Sequence, residues 1–133
     1  MDRLNENESL APGQSIVSSD GRFSLTLQPD GNLVLARVGA EARWSTNTSG
    51  RGASRLTMQG DGNLVLYTAS SVALWSSGTW GHAGVWAILQ PDGNFVVYAT
   101  GAPAALWASN TWVTTKGVDG FAPGRADRPF RND

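Results

Sequence analysis

Apolar and polar residues alternate from Phe23 to Leu27 and again from Leu33 to Ala36, with Pro29-Asp30-Gly31 between the two runs. A period of two marks a strand with one buried face. The break carries its own turn chemistry: Pro sets φ at the first position, Asp suits the second, and Gly accepts a left-handed third. Together these predict a hairpin with a three-residue loop. In that register Gln28 faces Asn32, Thr26 faces Val34 and Ser24 faces Ala36 on the outer side. Leu25, Leu27, Leu33 and Leu35 then point to a core.

The same pattern returns twice. Gln28, Gln59 and Gln90 stand 31 residues apart, each opening a Gln-x-Asp-Gly-Asn turn, so the chain is an internal triplicate. The second hairpin is predicted to bury Leu56, Met58, Leu64 and Leu66, leaving Arg55, Thr57, Gln59, Asn63, Val65 and Tyr67 outside. The third buries Ala87, Leu89, Phe95 and Val97, and its outer face (Trp86, Ile88, Gln90, Asn94, Val96, Tyr98) is the most apolar of the three. After each hairpin comes a loop and then a segment led by Trp44, Trp75 or Trp107, predicted to be strands whose indoles meet at a shared axis, the alternative being that they stack sugars or bases at the surface. Trp80 and Trp112 follow the second and third of these segments, where the first has Ser49, and are candidates for an interface. A short strand is expected around Ile16. Residues 1–9 read as an N-terminal tail, 10–116 as one domain of three repeats, and the Gly-, Pro- and charge-rich 117–133 as a C-terminal tail or linker.

Composition supports an all-β fold in one domain: charged residues are only 16% of the 133, while Gly numbers 16. The net charge of −1 gives no electrostatic footprint for nucleic acid or an anionic membrane. No apolar run approaches the roughly 20 residues of a membrane-spanning helix. The N-terminus lacks the basic start and apolar stretch of a secretory signal. Cysteine is absent, which excludes a disulfide framework and thiolate metal sites.

Each hairpin end gathers a carboxylate (Asp30, Asp61, Asp92) and two amides (Gln28 with Asn32, Gln59 with Asn63, Gln90 with Asn94). Tyr67 and Tyr98 add a phenol in two copies, and Val34, Val65 and Val96 an apolar contact. Such a set suits a ligand with several hydroxyl groups and one apolar ring face, as in a monosaccharide. The plainer alternative is that Asp-Gly makes the turn and the amides cap its backbone. Enzyme chemistry finds little support: glycoside hydrolysis usually needs two carboxyl groups about 5 to 10 Å apart, and each repeat offers one. His82, the only histidine, has no partner pattern for a triad or a zinc site, and no cofactor or metal is expected.

The motif Gln-x-Asp-x-Asn-x-Val-x-Tyr, three times at this spacing with Trp-Ser or Trp-Ala between, resembles the monocot mannose-binding lectins, also called bulb-type or snowdrop-type lectins. The resemblance covers Leu10 to Thr115. It implies a β-prism II fold: three four-stranded antiparallel sheets with pseudo-threefold symmetry. It further implies that Asp and Asn bond the mannose 2-hydroxyl, Gln the 3-hydroxyl and Tyr the 4-hydroxyl, with Val against the ring carbons. Carried over, Gln59, Asp61, Asn63, Val65 and Tyr67 form one site and Gln90, Asp92, Asn94, Val96 and Tyr98 another. The first repeat has Ala36 in place of Tyr, so Gln28, Asp30, Asn32 and Val34 form a degenerate site. The family's usual disulfide is missing, which points toward a microbial or cytoplasmic member. Function on this reading is non-catalytic binding of mannose-containing glycans, extracellular or on cell surfaces. The resemblance also implies a homodimer formed by exchange of the C-terminal strand, here segment 110–115, with Trp112 in or near the interface. The second reading is a protein-interaction or bacteriocin-like module in which the motifs are partly structural.

Overall fold

A hairpin with one apolar face must bury that face, and three of them in one chain solve the problem by facing one another. The computed structural model describes residues 1–113 and contains twelve strands among them. In chain order these are β1 (Arg3–Asn5), β2 (Ser9–Leu10), β3 (Ser15–Val17), β4 (Phe23–Leu27), β5 (Leu33–Arg37), β6 (Ala42–Ser45), β7 (Ala53–Met58), β8 (Leu64–Thr68), β9 (Ala73–Ser76), β10 (Val85–Leu89), β11 (Phe95–Ala99) and β12 (Trp107–Ala108). They form three four-stranded sheets, ordered β3-β4-β5-β6, β2-β7-β8-β9 and β1-β10-β11-β12, with every pairing that is resolved antiparallel. The fold is the β-prism II that the resemblance implied.

Register follows the alternation. Leu27 pairs with Leu33, Thr26 with Val34 and Ser24 with Ala36. All twelve residues expected in the core are sealed from solvent: Leu25, Leu27, Leu33, Leu35, Leu56, Met58, Leu64, Leu66, Ala87, Leu89, Phe95 and Val97. Trp44, Trp75 and Trp107 meet as expected, ring centroids 5.3 to 5.6 Å apart and each pair edge-to-face. They are half-buried and packed against the aliphatic core, so they cap it and do not fill its centre. Register shifts opposite Leu35/Ala36 and Leu66/Tyr67 help here: in the second repeat Leu74 and Trp75, adjacent in sequence, both lean on the core.

Two expectations change. The Trp44 and Trp75 segments do not begin strands but end them, since β6 and β9 run into Trp44-Ser45 and Trp75-Ser76, whereas β12 does begin at Trp107. Asn47, Gly78 and Asn110 then take φ of 55°, 69° and 61°, left-handed values that turn the chain away from the sheet. Second, residues 1–9 are not a tail. β1 pairs with β10 and β2 with β7, and the first stretch of the chain thus supplies one outer strand to each sheet in turn. Leu4 is 1% exposed and belongs to the core. The tail expected over 117–133 lies outside the described residues.

Contacts between repeats complete the prism. The Phe23 ring packs so closely on Gly93 that a Cβ there would sit 2.7 Å from it. Arg22, held by Asp20 at 2.7 Å, donates from Nη2 to the Pro91 carbonyl at 2.6 Å. Leu4→Ala is expected to cost about 2–5 kcal/mol, the range for emptying a core leucine site. Urea unfolding checks this, and a tail residue would leave the midpoint in place.

Candidate functional site

The three turns share a backbone plan. Gly31, Gly62 and Gly93 have φ of 92°, 100° and 89°, which L side chains rarely adopt. In the second turn a Cβ on Gly62 would also lie 2.7 Å from the Thr79 carbonyl oxygen. Each Asp accepts the N–H of its Asn through Oδ1, at 2.9, 2.9 and 3.0 Å, which closes an Asx turn.

The Asn side chains do something the sequence reading missed. Asn32, Asn63 and Asn94 turn their Oδ1 atoms to the chain leaving the Trp strand, accepting from the N–H of Thr48, Thr79 and Thr111 at 3.1, 3.1 and 3.3 Å. In the second and third repeats Gly78 and Asn110 donate to the same oxygen at 2.9 Å. The threonine hydroxyls return the bond to Gly31, Gly62 and Gly93 carbonyls at 2.7, 2.6 and 2.5 Å. Thr46, Ser77 and Ser109 hydroxyls brace those threonines at 2.7 to 2.8 Å. The Asn carbonyl is therefore committed to the fold, and only Nδ2 is left to face a ligand. The recurring Thr two residues beyond Thr46, Ser77 and Ser109 was the available signal.

The second repeat brings its polar residues together. The Gln59 amide nitrogen donates to Asp61 Oδ1 and Oδ2 at 3.1 and 3.3 Å, and its oxygen accepts a short hydrogen bond from the Tyr67 hydroxyl. Arg55 covers the Tyr67 ring, its guanidinium carbon 4.6 Å from the centroid. In the third repeat the Gln90 amide is turned over, its nitrogen donating a short bond to Tyr98 oxygen. Gln90 Oε1 and Asn94 Nδ2 are buried there without a hydrogen-bond partner. Trp86 stacks on Tyr98 at 5.6 Å, in the place Arg55 holds over Tyr67. The first repeat differs most: Asp30 Oδ2 accepts from Ser49 at 3.0 Å, and Ala36 stands where the others have Tyr.

The valines depart from the expectation of an exposed ring contact. Val34 is half-buried, but Val65 is 2% and Val96 0% exposed. Both lie on the outer face, Val65 between Thr57 and Ser76 in register, and Val96 between Ile88 and Ala108. Alternation fixes the side of the sheet and not the depth, so the valines are floors of their sites. The second site is the more open, since Gln90 and Asn94 are themselves buried in the third.

Asn63→Ala would strip the acceptor from two backbone N–H groups and one hydroxyl. A loss of about 1–3 kcal/mol is expected from the orphaned donors, read as a lower urea midpoint. A residue serving only the ligand would leave stability unchanged.

No protein-family model matches the chain, and no curated protein sequence matches it. Solved structures do. Monomeric monocot mannose-binding lectins from Gastrodia elata are 42% identical, with a TM-score of 0.76, over 85% of this chain and 100% of theirs. The mannose-specific agglutinin from snowdrop (Galanthus nivalis) bulbs, complexed with methyl-α-D-mannoside, is 39% identical, with a TM-score of 0.70, over 86% and 100%. A lectin of Marasmius oreades is 34% identical, with a TM-score of 0.76, over 82% and 90%. Shared identity over the full length of such relatives, together with three prism sheets bearing the repeated turn, places this chain in the monocot mannose-binding lectin family.

Proposed function

We propose that the chain is a non-catalytic lectin that binds terminal mannose at the second and third repeats, with the first repeat degenerate. The observation that carries this reading is the Gln59 amide held between the Asp61 carboxylate and the Tyr67 phenol. That arrangement fixes acceptors and donors along one sheet face before a ligand arrives, as adjacent hydroxyls on a pyranose require. Asp61 and Asn63 Nδ2 take the 2-hydroxyl, Gln59 the 3-hydroxyl and Tyr67 the 4-hydroxyl. In the third repeat Gln90, Asp92, Asn94 and Tyr98 take the same roles. A sugar hydroxyl both donates and accepts, which matches the partnerless Gln90 Oε1 and Asn94 Nδ2. At the first repeat Ser49 occupies one Asp30 oxygen and Ala36 offers no hydroxyl, so Gln28, Asn32 and Val34 have too few partners to hold a sugar.

Each site is shallow and its hydrogen bonds replace bonds to water, at a net of about 0.5–1.5 kcal/mol each. A single mannose is therefore held in roughly the millimolar range, and useful avidity comes from engaging two sites on one glycan or surface. Calorimetric titration with methyl α-mannoside is expected to give no more than two sites per chain. The double variant Asp61→Ala/Asp92→Ala should abolish binding and keep a native circular dichroism spectrum, because each Asx bond lost costs only about 1 kcal/mol. Normal binding by a folded double variant would favour the protein-interaction module instead.

On assembly, the reading moves from the homodimer through segment 110–115 to a monomer. Trp112 and Val113 are 1% and 3% exposed in the single chain, and Val113 N–H donates to the Asp92 carbonyl at 2.6 Å. An exchanged strand would trade these contacts for the same ones with a second chain and add the entropy cost of association, while Thr114 and Thr115 lie outside the described residues. The Gastrodia elata lectins, described as monomeric, support the same reading. Sedimentation at high micromolar concentration is expected to find a monomer; a dimer lost on truncation after Ser109 would restore strand exchange.

A further inference from the structure

One position directly after each clamp threonine is used three ways. In the first repeat Ser49 reaches Asp30 Oδ2 at 3.0 Å, so a side chain at this place projects to the carboxylate end of the site. In the third, Trp112 is buried. In the second, Trp80 is 65% exposed, the most exposed Trp, Tyr or Phe side chain among the described residues.

The backbone on both sides of Trp80 is pinned to the second turn. Thr79 N–H donates to Asn63 Oδ1 at 3.1 Å, and Gly81 and His82 N–H donate to the Asp61 carbonyl at 2.7 and 3.1 Å. Gly78 sits under the indole: a Cβ there would lie 3.8 Å from Trp80 Cζ3. The Gly78 N–H is itself on Asn63 Oδ1 at 2.9 Å. The ring is thus carried on rigid backbone beside the polar cluster, with most of its apolar surface in water. Folding gains little from an indole left this way, whereas a flat apolar face beside hydroxyl-binding groups suits the C–H face of a second pyranose.

We propose that Trp80 is the platform of a second subsite, stacking the sugar ring next to a terminal mannose held by Gln59, Asp61, Asn63 and Tyr67. The ligand class is a mannose-containing oligosaccharide, and the inference rests on the mannose reading of the second site. The first repeat cannot build this platform with Ser49, and the third has its indole buried.

The test uses the full chain carrying Asp92→Ala, which silences the third site. Methyl α-mannoside and an α-linked mannobiose are titrated calorimetrically into this chain and into its Trp80→Ala and Trp80→Phe derivatives. With Trp80 present the disaccharide is expected to bind about tenfold tighter than the monosaccharide, the scale of one stacked ring. Trp80→Ala should bring that ratio close to one, and Trp80→Phe should restore part of it. The indole emission that Trp80→Ala removes should shift with the disaccharide. Monosaccharide binding with an equal ratio in Trp80→Ala overturns the subsite and leaves the mannose reading standing. Binding of neither sugar overturns both. An unchanged ratio with a dimer that Trp80→Ala converts to monomer assigns the indole to a protein contact and overturns the subsite.

Discussion

The carbonyl oxygen of one asparagine per repeat ties each turn to the strand that follows it. Asn32, Asn63 and Asn94 each hold the N–H of a threonine whose hydroxyl holds the turn glycine in return. A chain without cysteine has no covalent cross-links, so these closed loops of hydrogen bonds join hairpin tips to strand exits. Every bond in the clamp needs another element in place: the left-handed residue after the Trp strand, the glycine at the tip and the small hydroxyl between them. The turn and the prism are therefore held as one structure by the amide oxygen, which leaves the nitrogen uncommitted to the clamp.

Inside the prism the repeats are held to a common plan, and outside it they diverge. The third hairpin has Ala87 where the others have Leu25 and Leu56, and Phe95 where they have Leu33 and Leu64. Lost volume at one core position is thus regained at another, as close packing requires. No such constraint binds the outer face. Opposite Ala36, Tyr67 and Tyr98 stand Ser24, Arg55 and Trp86, so one register position is polar, cationic and aromatic in turn. Threefold folding with threefold different surfaces gives one small domain an open polar cluster, a buried one and one that lacks the phenol.

Much of this was legible in the sequence. Alternation named four core residues in each hairpin and the hairpin register, because a slip of one residue would move every leucine to the wrong face. The N-terminal strands were not legible: β1 has three residues and a single inward side chain, Leu4, too short for a period to appear. Nor was the clamp, since Thr48, Thr79 and Thr111 lie past the strand ends, where polar residues read as loop. The positions of the site residues on one outer face followed from register, but the burial of Val65 and Val96 did not. Depth depends on what neighbouring strands bring alongside.

On the proposed function, the same polar residues, differently engaged, would give the second and third repeats different costs of binding. Ordering a free glutamine side chain costs up to about 2 kcal/mol. In the second site Asp61 and Tyr67 have already fixed Gln59, so that cost is met in folding, though an incoming hydroxyl must share bonds already made. In the third site burial holds Gln90 and Asn94 with an acceptor and a donor unsatisfied, so a hydroxyl reaching them would form bonds without displacing any. Access there is the obstacle, since Val96 and Asn94 have no exposed surface. Preorganisation with ready access at one site and stronger unmet demand with poor access at the other are opposed compromises on one backbone. The repeat that is easiest to enter is also the one flanked by the exposed indole.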